Sequence, residues 1–298
     1  MDEIDVKILK HLFVDGRATY NSIADELKIT GSAVRQRVNK LKEEGIIKGF
    51  MLDLNPTYLS LNRTVLAIRA PMQNRLDDVL DKILTIREVQ YVIECLSSYI
   101  LVDIIHDEPN VDNLANKILE ISKGEAIEMK YTPRLTKVDK VVSKFDLKLL
   151  YILFQYPRAS ESSLANALGV SAKTIRRHMN YLNEIAKVRP IIEPGLIKDW
   201  QIIIAFMTFR TSPEQIIIKL KKWLLGEPIY DDKAAVLTMI FKSGREMDDA
   251  LRDVKREIED ISVMVPVRSF YSNKPYVSRI EKVLQVELKQ MADMEVEE

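Results

Sequence analysis

The chain has 298 residues, 47% of them hydrophobic, with 44 basic against 44 acidic side chains. That is apolar content for about two to four small cored domains, and a charge balance that excludes a wholly basic nucleic-acid coat, so any affinity for DNA must come from local patches. A single cysteine, Cys95, excludes an internal disulfide framework and fits a reducing cytoplasm.

No apolar run approaches the length of a membrane span, and the chain opens on Met1-Asp2-Glu3 rather than on a basic and then apolar leader. A soluble cytoplasmic protein is expected. Abundant Ile, Lys and Glu with nine glycines lean towards a thermophilic source.

The first element is a helix whose Ile4, Ile8, Leu9, Leu12 and Phe13 recur on one face, ending at Asp15-Gly16. Thr19 can cap a second helix with Ile23, Ala24 and Leu27 inside, and Lys28-Ile29 makes a tight turn. Thr30 can cap a third, in which Val34, Val38 and Leu41 face the core. Three short helices of this kind, with small Ala24 at the crossing, are the pattern of a helix-turn-helix.

From Thr64 to Tyr131 the pattern is strand, helix, hairpin, helix, strand. The strands are Thr64–Arg69, Val89–Cys95, Tyr99–Ile105 and Ala126–Tyr131, with the hairpin turning at Ser97-Ser98. The helices are Leu76–Leu84 and Val111–Ile121. That βαββαβ order predicts a ferredoxin-like sheet with helices on one face. Its bare face needs a cover, and a second such sheet is the obvious partner.

The stretch Asp5–Glu44 then recurs without a gap as Asp146–Ile185, a constant offset of 141. Asp5, Leu9, Leu12, Arg17, Ala24, Leu27, Arg35, Asn39 and Leu41 fall on Asp146, Leu150, Leu153, Arg158, Ala165, Leu168, Arg176, Asn180 and Leu182. Ser160 and Ser171 are the caps of this copy, and Leu164, Ile175 and Met179 join its core. A second strand and helix set follows: Ile202–Phe209, Glu214–Leu224, a hairpin at Asp231-Asp232-Lys233 leading into Ala234–Phe241, Met247–Ile258 and Val263–Phe270. A last helix over Tyr276–Met294 carries Val277, Ile280, Leu284, Leu288 and Met291 on one stripe, predicted to dock on its own sheet domain, before an acidic end.

The predicted fold class is therefore α+β, two tandem units of a winged helix-turn-helix followed by a ferredoxin-like domain. The expected division is helix-turn-helix 1–54, sheet domain 55–140, helix-turn-helix 141–196, sheet domain 197–274, and helix with tail 275–298.

At about 100° per residue, burying Val34, Val38 and Leu41 turns Ser32, Gln36, Asn39 and Lys40 outward with Arg35 on the flank. The same rotation exposes Lys173, Arg177, Asn180 and Tyr181, flanked by Arg176. Together with the helix starts Thr30, Ser171 and Thr174, and with Arg37 and His178, these form the candidate contact set for double-stranded DNA. From Ser171 to Arg189 the basic residues are Lys173, Arg176, Arg177, Lys187 and Arg189 against Glu184 alone. A neutral chain thus concentrates positive charge where phosphate contact needs it.

The run Asp5-Val6-Lys7-Ile8-Leu9, then Asp15-Gly16-Arg17, Ile23-Ala24, Arg37-Val38 and Glu44-Gly45-Ile46-Ile47 resembles the leucine-responsive regulator (Lrp/AsnC) family. The resemblance covers residues 1 to about 135, with a diverged second unit over about 141–272 in which Pro157, His178 and Ala186-Lys187-Val188 replace Gly16, Arg37 and Gly45-Ile46-Ile47. It implies a transcription regulator whose ferredoxin-like (RAM) domains pair and bind amino-acid effectors, and a homodimer is expected. Members that sense amino acids carry a Gly followed three residues later by Asp in the central hairpin. Neither Cys95-Leu96-Ser97-Ser98-Tyr99 nor Tyr230-Asp231-Asp232-Lys233-Ala234 supplies that Gly.

No Gly-rich phosphate loop occurs, and Cys95, His11, His106 and His178 lack metal-ligand spacing, so no cofactor, metal or catalytic residue is expected. Two alternatives stay open. Siroheme decarboxylases share the architecture, although their His- and Arg-rich hairpin has no counterpart around Val89–Ile105; a scaffold that uses the fold only for protein pairing is the other.

Overall fold

The computed structural model describes residues 1–70, 76–96, 98–107, 111–138 and 143–284. The first unit opens with α1 (Glu3–Val14), α2 (Tyr20–Leu27) and α3 (Gly31–Glu43), called head 1 below. Asp2 starts α1 through a capping box with Asp5, while Thr19 and Thr30 accept the amides of Ser22 and Ala33. Each cap satisfies an amide that the helix start leaves without an intrahelical partner. Lys28, at φ 56°, turns the chain between α2 and α3 in the left-handed conformation that glycine adopts most readily.

Strand β1 (Ile47–Leu54) leads into β2 (Asn62–Arg69), α4 (Leu76–Leu84), β3 (Val89–Cys95), β4 (Tyr99–His106), α5 (Asp112–Ser122) and β5 (Ala126–Tyr131). The second unit repeats the plan with α6 (Lys144–Gln155), α7 (Glu161–Leu168) and α8 (Ala172–Leu182), which form head 2. Its caps are Ser143, Ser160 and Ser171, and Gly169 at φ 65° stands where head 1 has Lys28. Then come β6 (Ala186–Ile192), β7 (Gln201–Phe209), α9 (Pro213–Leu220), β8 (Ile229–Tyr230), β9 (Ala234–Phe241), α10 (Gly244–Val254) and β10 (Ile258–Met264), followed by β11 (Pro266–Tyr271) and α11 (Lys274–Leu284).

The strand orders are β11-β3-β4-β2-β5 and β10-β7-β9-β8. Each contains the 4-1-3-2 order that a βαββαβ unit produces. Helices cover one face of each sheet: Leu80, Ile83, Ala115 and Ile118 pack on the first, and Ile216, Leu220, Ala250 and Val254 on the second. The two remaining faces meet inside one chain. Val65, Ala67, Cys95 and Leu101 pack against Ile204, Ala234, Val236 and Met264, and the Tyr131 hydroxyl donates to the Ala234 carbonyl at 2.7 Å. At roughly 1.5–3 kcal/mol per fully buried large side chain, this layer is a core in its own right. The cover that each sheet needs is therefore the other unit.

The units also exchange their heads. β1 pairs antiparallel with β6 to form a two-stranded ribbon between them. Head 1 shares a core with Ile192, Ile197, Ile202, Leu225 and Ile240 of the second unit. Head 2 shares one with Leu52, Leu54, Tyr58, Leu59, Leu61 and Ile105 of the first. Each head thus sits on the opposite half, which no reading of one unit alone would give.

Two sequence expectations need correction. The single strand expected over Val263–Phe270 is broken at Val265: β10 ends at Met264, and β11 leaves for the other sheet, where Pro266 lies opposite Cys95 and Tyr271 opposite Tyr91. Pro266 has no amide to donate, and a proline is tolerated at the first residue of an edge strand. Residues of the predicted second sheet domain therefore extend the first sheet.

For the same reason the last helix does not dock on its own sheet domain. Tyr276, fully buried, stacks on Phe154 of head 2 at 5.0 Å and donates to the Leu54 carbonyl at 2.8 Å, and Ile280 and Leu284 join the same core. Leu288, Met291 and the acidic end lie outside the described residues, as do Ser97 and the side chain of Leu76.

Candidate nucleic-acid interface

α3 and α8 are held from behind by the same residue types at the same spacing. Val34, Val38 and Leu41 are buried beneath α3, and Ile175, Met179 and Leu182 beneath α8. That rotation leaves Ser32, Arg35, Gln36, Asn39 and Lys40 exposed on the first, and Lys173, Arg176, Arg177 and Asn180 on the second. Thr30 and Ser171 spend their hydroxyls as caps, receiving amides at 3.1 Å each, and Thr174 lies with its hydroxyl 3.0 Å from that of Ser171. The starts of both helices therefore face outward with ordered amides.

Several exposed cations have weak local partners. The Arg35 guanidinium lies 5.9 Å from the Tyr20 ring centroid, and Lys40 is 3.8 Å from Glu44 one turn on. Arg176 forks onto Glu161 at 2.8–3.4 Å. Exposed pairs of this kind contribute about 0–1 kcal/mol and exchange readily for a phosphate.

Three members of the sequence-derived set turn away from the face. Arg37 donates to Asp2 at 2.6 Å and Asp5 at 2.8 Å. At the equivalent place in head 2, His178 Nδ1 lies 2.6 Å from Asp146, with its ring 4.4 Å from that of Phe145. Both side chains tie the third helix to the start of the first. Tyr181, half-buried, packs its ring 6.2 Å from Tyr58 in the core shared with the first unit. The rotation argument placed it outward because it took α8 alone, without the neighbouring unit.

Arg17 and Arg158, equivalent positions of the repeat with no role legible in the sequence, join the two heads. Arg17 donates from Nη1 to the Pro157 carbonyl at 2.7 Å and from Nη2 to the Ala159 carbonyl at 2.6 Å, so head 1 grips the backbone of head 2. Arg158 reaches back, its guanidinium 5.5 Å from the Tyr20 ring and 4.6 Å from Phe50, with Nη1 3.4 Å from the Tyr20 hydroxyl. Gly16 makes room beside this contact: its amide donates to the Val188 carbonyl at 2.8 Å, and a Cβ there would lie 2.7 Å from that oxygen.

In the second hairpin the Asp231 carboxylate is already engaged. Asp231 accepts the amides of Lys233 at 2.9 Å and Ala234 at 3.2 Å and that of Arg134 at 3.1 Å. Although burial alone would raise its pKa, these amides hold the carboxyl below the usual aspartate value. Oδ1 closes the turn, and Oδ2 ties it to Arg134 of the first unit. Among the described residues no three His, Cys, Asp or Glu side chains are grouped to hold a metal ion, and no helix is long and apolar enough to cross a membrane.

Comparison with known proteins adds four findings. A family profile described as "Winged helix-turn-helix DNA-binding" matches residues 1–48 and again 142–184. The HTH-type transcriptional regulator LysM of Sulfurisphaera tokodaii is 33% identical over 129 residues, covering 43% of this chain and 89% of that protein. The HTH-type transcriptional regulator FL11 of Pyrococcus furiosus is 26% identical over 148 residues, covering 50% of this chain and 97% of its own length. Among solved structures, the siroheme decarboxylase NirDL aligns over 95% of this chain and 100% of its own at 12% identity, with a TM-score of 0.46.

Proposed function

The chain belongs to the Lrp/AsnC family of transcription regulators, and from that premise we propose that it binds double-stranded DNA with two non-identical heads held in fixed relation within one polypeptide. The observation that carries this reading is the repeated polar face: nine exposed side chains, Ser32, Arg35, Gln36, Asn39 and Lys40 on α3 and Lys173, Arg176, Arg177 and Asn180 on α8, rest on intact apolar supports. Thr30 and Ser171 cap the starts of α3 and α8, which this reading assigns to phosphate, and Thr174 lies beside Ser171. Arg37, His178 and Tyr181 support the helices from behind and are not assigned to DNA.

Binding should weaken steeply with salt, by about 0.9 in log–log slope for each phosphate neutralised. Replacing Arg35 and Lys40 together, or Arg176 and Arg177 together, by Ala should leave a folded protein with lower affinity and a slope shallower by about 1–2. A slope and affinity unmoved by the second pair would reduce head 2 to a structural repeat. Absence of salt-dependent binding to any duplex would instead favour a protein-pairing scaffold.

We further propose that chains associate as homodimers carrying four heads. The edge strand β10 supports this: Ile261 and Val263 are 36% and 40% exposed on a strand paired on one side alone, an arrangement that invites a second strand. Light scattering at micromolar concentration checks the assembly, and a monomer there overturns it.

A further inference from the structure

Between the two sheets, beneath the ribbon of β1 and β6, lies a cavity of about 190 Å³. It has room for roughly six waters, or for a molecule smaller than the usual drug-sized ligand. Its two walls differ. In the register of the first sheet Val65 lies opposite Asp103, and at the matching place of the second Ile204 lies opposite Thr238. Two residues along, the first sheet has Arg63 and the second has Ile202. One wall is therefore charged and the other almost wholly apolar, formed by Ile202, Ile204, Ile229 and Val236.

The charges are nearly all spent on one another. Asp103 receives Arg63 Nε at 3.0 and 3.1 Å and Nη2 at 2.5 Å, so both its oxygens are occupied. Arg189 uses three nitrogens, on Asp53 at 2.8 Å, the Phe13 carbonyl at 2.5 Å and Glu227 at 2.7 Å. What is left is one gap: Arg63 Nη1 and Asp53 Oδ1 stand 3.9 Å apart, beyond hydrogen-bond reach. A group that accepts from the first and donates to the second fills it. Arg63, Arg189, Asp53 and Asp103, buried or half-buried, sum to zero, and the fifth lining charge, Glu227, is 64% exposed at the rim and pairs with Arg189. A charged head would lose its hydration and find no free counter-charge.

We propose that this cavity is a binding site for a small uncharged molecule with an apolar body and one hydroxyl, the hydroxyl bridging Arg63 and Asp53 and the body lying against Ile204 and Val236. Entry lies at the loop of Gly226 and Glu227. The Glu227 side chain is 64% exposed, and Gly226 at φ 89° holds a conformation in which a side chain would be strained, its Cβ falling 3.3 Å from the Phe13 ring. Arg189 joins the site to the end of α1, so an occupant touches the support of head 1 directly.

The test uses the full-length protein without DNA, so its failure leaves the DNA reading untouched. Thermal unfolding and saturation-transfer NMR are recorded with 3-methylbutan-1-ol, 3-methylbutylamine and 3-methylbutanoate at millimolar concentration, three heads on one body. The alcohol should raise the midpoint by about 2–5 °C and show transfer, with the amine and carboxylate inert. Val236→Phe should abolish both signals, and the milder Thr238→Leu decides the matter if that variant does not fold. A silent alcohol overturns the site, equal binding by either ion overturns the neutral class, and an undiminished signal in both filled variants moves the ligand elsewhere.

Discussion

Arg17 and Arg158 occupy equivalent positions in the two heads, and each reaches into the other half: the first onto the Pro157 and Ala159 carbonyls, the second onto Tyr20 of head 1 and Phe50 of β1. This reciprocal clasp links the two heads directly, and the expectation is that it sets the spacing between α3 and α8. With the heads locked, a duplex carrying both half-sites at one spacing is held by an intramolecular second contact. Replacing Arg17 and Arg158 together by Ala should lower affinity for that duplex about tenfold and widen the tolerated spacing, while affinity for a single half-site stays within about twofold. Mobility shifts over a series of spacers read both quantities. An unchanged spacing preference would show that the sheets and ribbon alone hold the heads.

Gln36 and Arg177 are the equivalent, outermost residues of α3 and α8, both exposed. A glutamine can pair bidentately with adenine and an arginine with guanine in the major groove, each contributing about 1–3 kcal/mol of discrimination. The preferred site should therefore lean towards A in one half and G in the other rather than form a palindrome. Selection from random duplexes, repeated with Arg177→Gln, should shift one half-site from G towards A. A uniform loss of affinity with the same motif would assign Arg177 to the backbone.

Arg37 and His178 perform one structural task with different chemistry. Removing Arg37 leaves Asp5, whose side chain is 11% exposed, with only the Asp2 amide on Oδ2, so Arg37→Ala should destabilise head 1 by about 1–2 kcal/mol. His178→Arg should be tolerated, because head 1 shows an arginine serving the equivalent aspartate. Urea unfolding separates the two variants. A His178→Arg protein that unfolds as early as Arg37→Ala would mean that the two helix anchors are not interchangeable.

Much of what local chemistry sets was readable from the chain: the caps Thr19, Thr30, Ser160 and Ser171, the buried faces of α3 and α8, and the βαββαβ order, though not the caps Asp2 and Ser143. Local chemistry dictates these. The exchange of heads and the crossing of β11 were not readable, because they depend on which apolar surface finds which across the whole chain. Pro266 was the one local signal, a residue that interrupts a strand without saying where the chain goes next. Tyr181 differs from expectation for a related reason: helical rotation gives a direction in space but not the neighbour waiting there, here Tyr58 of the other unit.

Cys95 lies in the layer between the sheets, 3% exposed, and burial pushes its thiol from the ordinary 9.0 up to about 12. An unfolded chain ionises this thiol near pH 9 and the folded chain only near pH 12. The stabilisation linked to it is therefore complete below pH 9 and lost as pH rises from 9 to 12, at about 1.4 kcal/mol per pH unit. Burial pushes the hydroxyls of Tyr91 and Tyr276 in the same direction, so they add to the loss at the alkaline end. Urea midpoints should accordingly hold level from pH 7 to 9 and fall above it, and Cys95→Ala should flatten the first part of that fall. In the native protein at pH 8 a thiol reagent should react at least a hundredfold more slowly than with the unfolded chain, since both ionisation and access are withheld. Rapid labelling of the native protein would mean that the two sheets separate readily, and the intramolecular pairing on which the fixed heads depend would have to be abandoned.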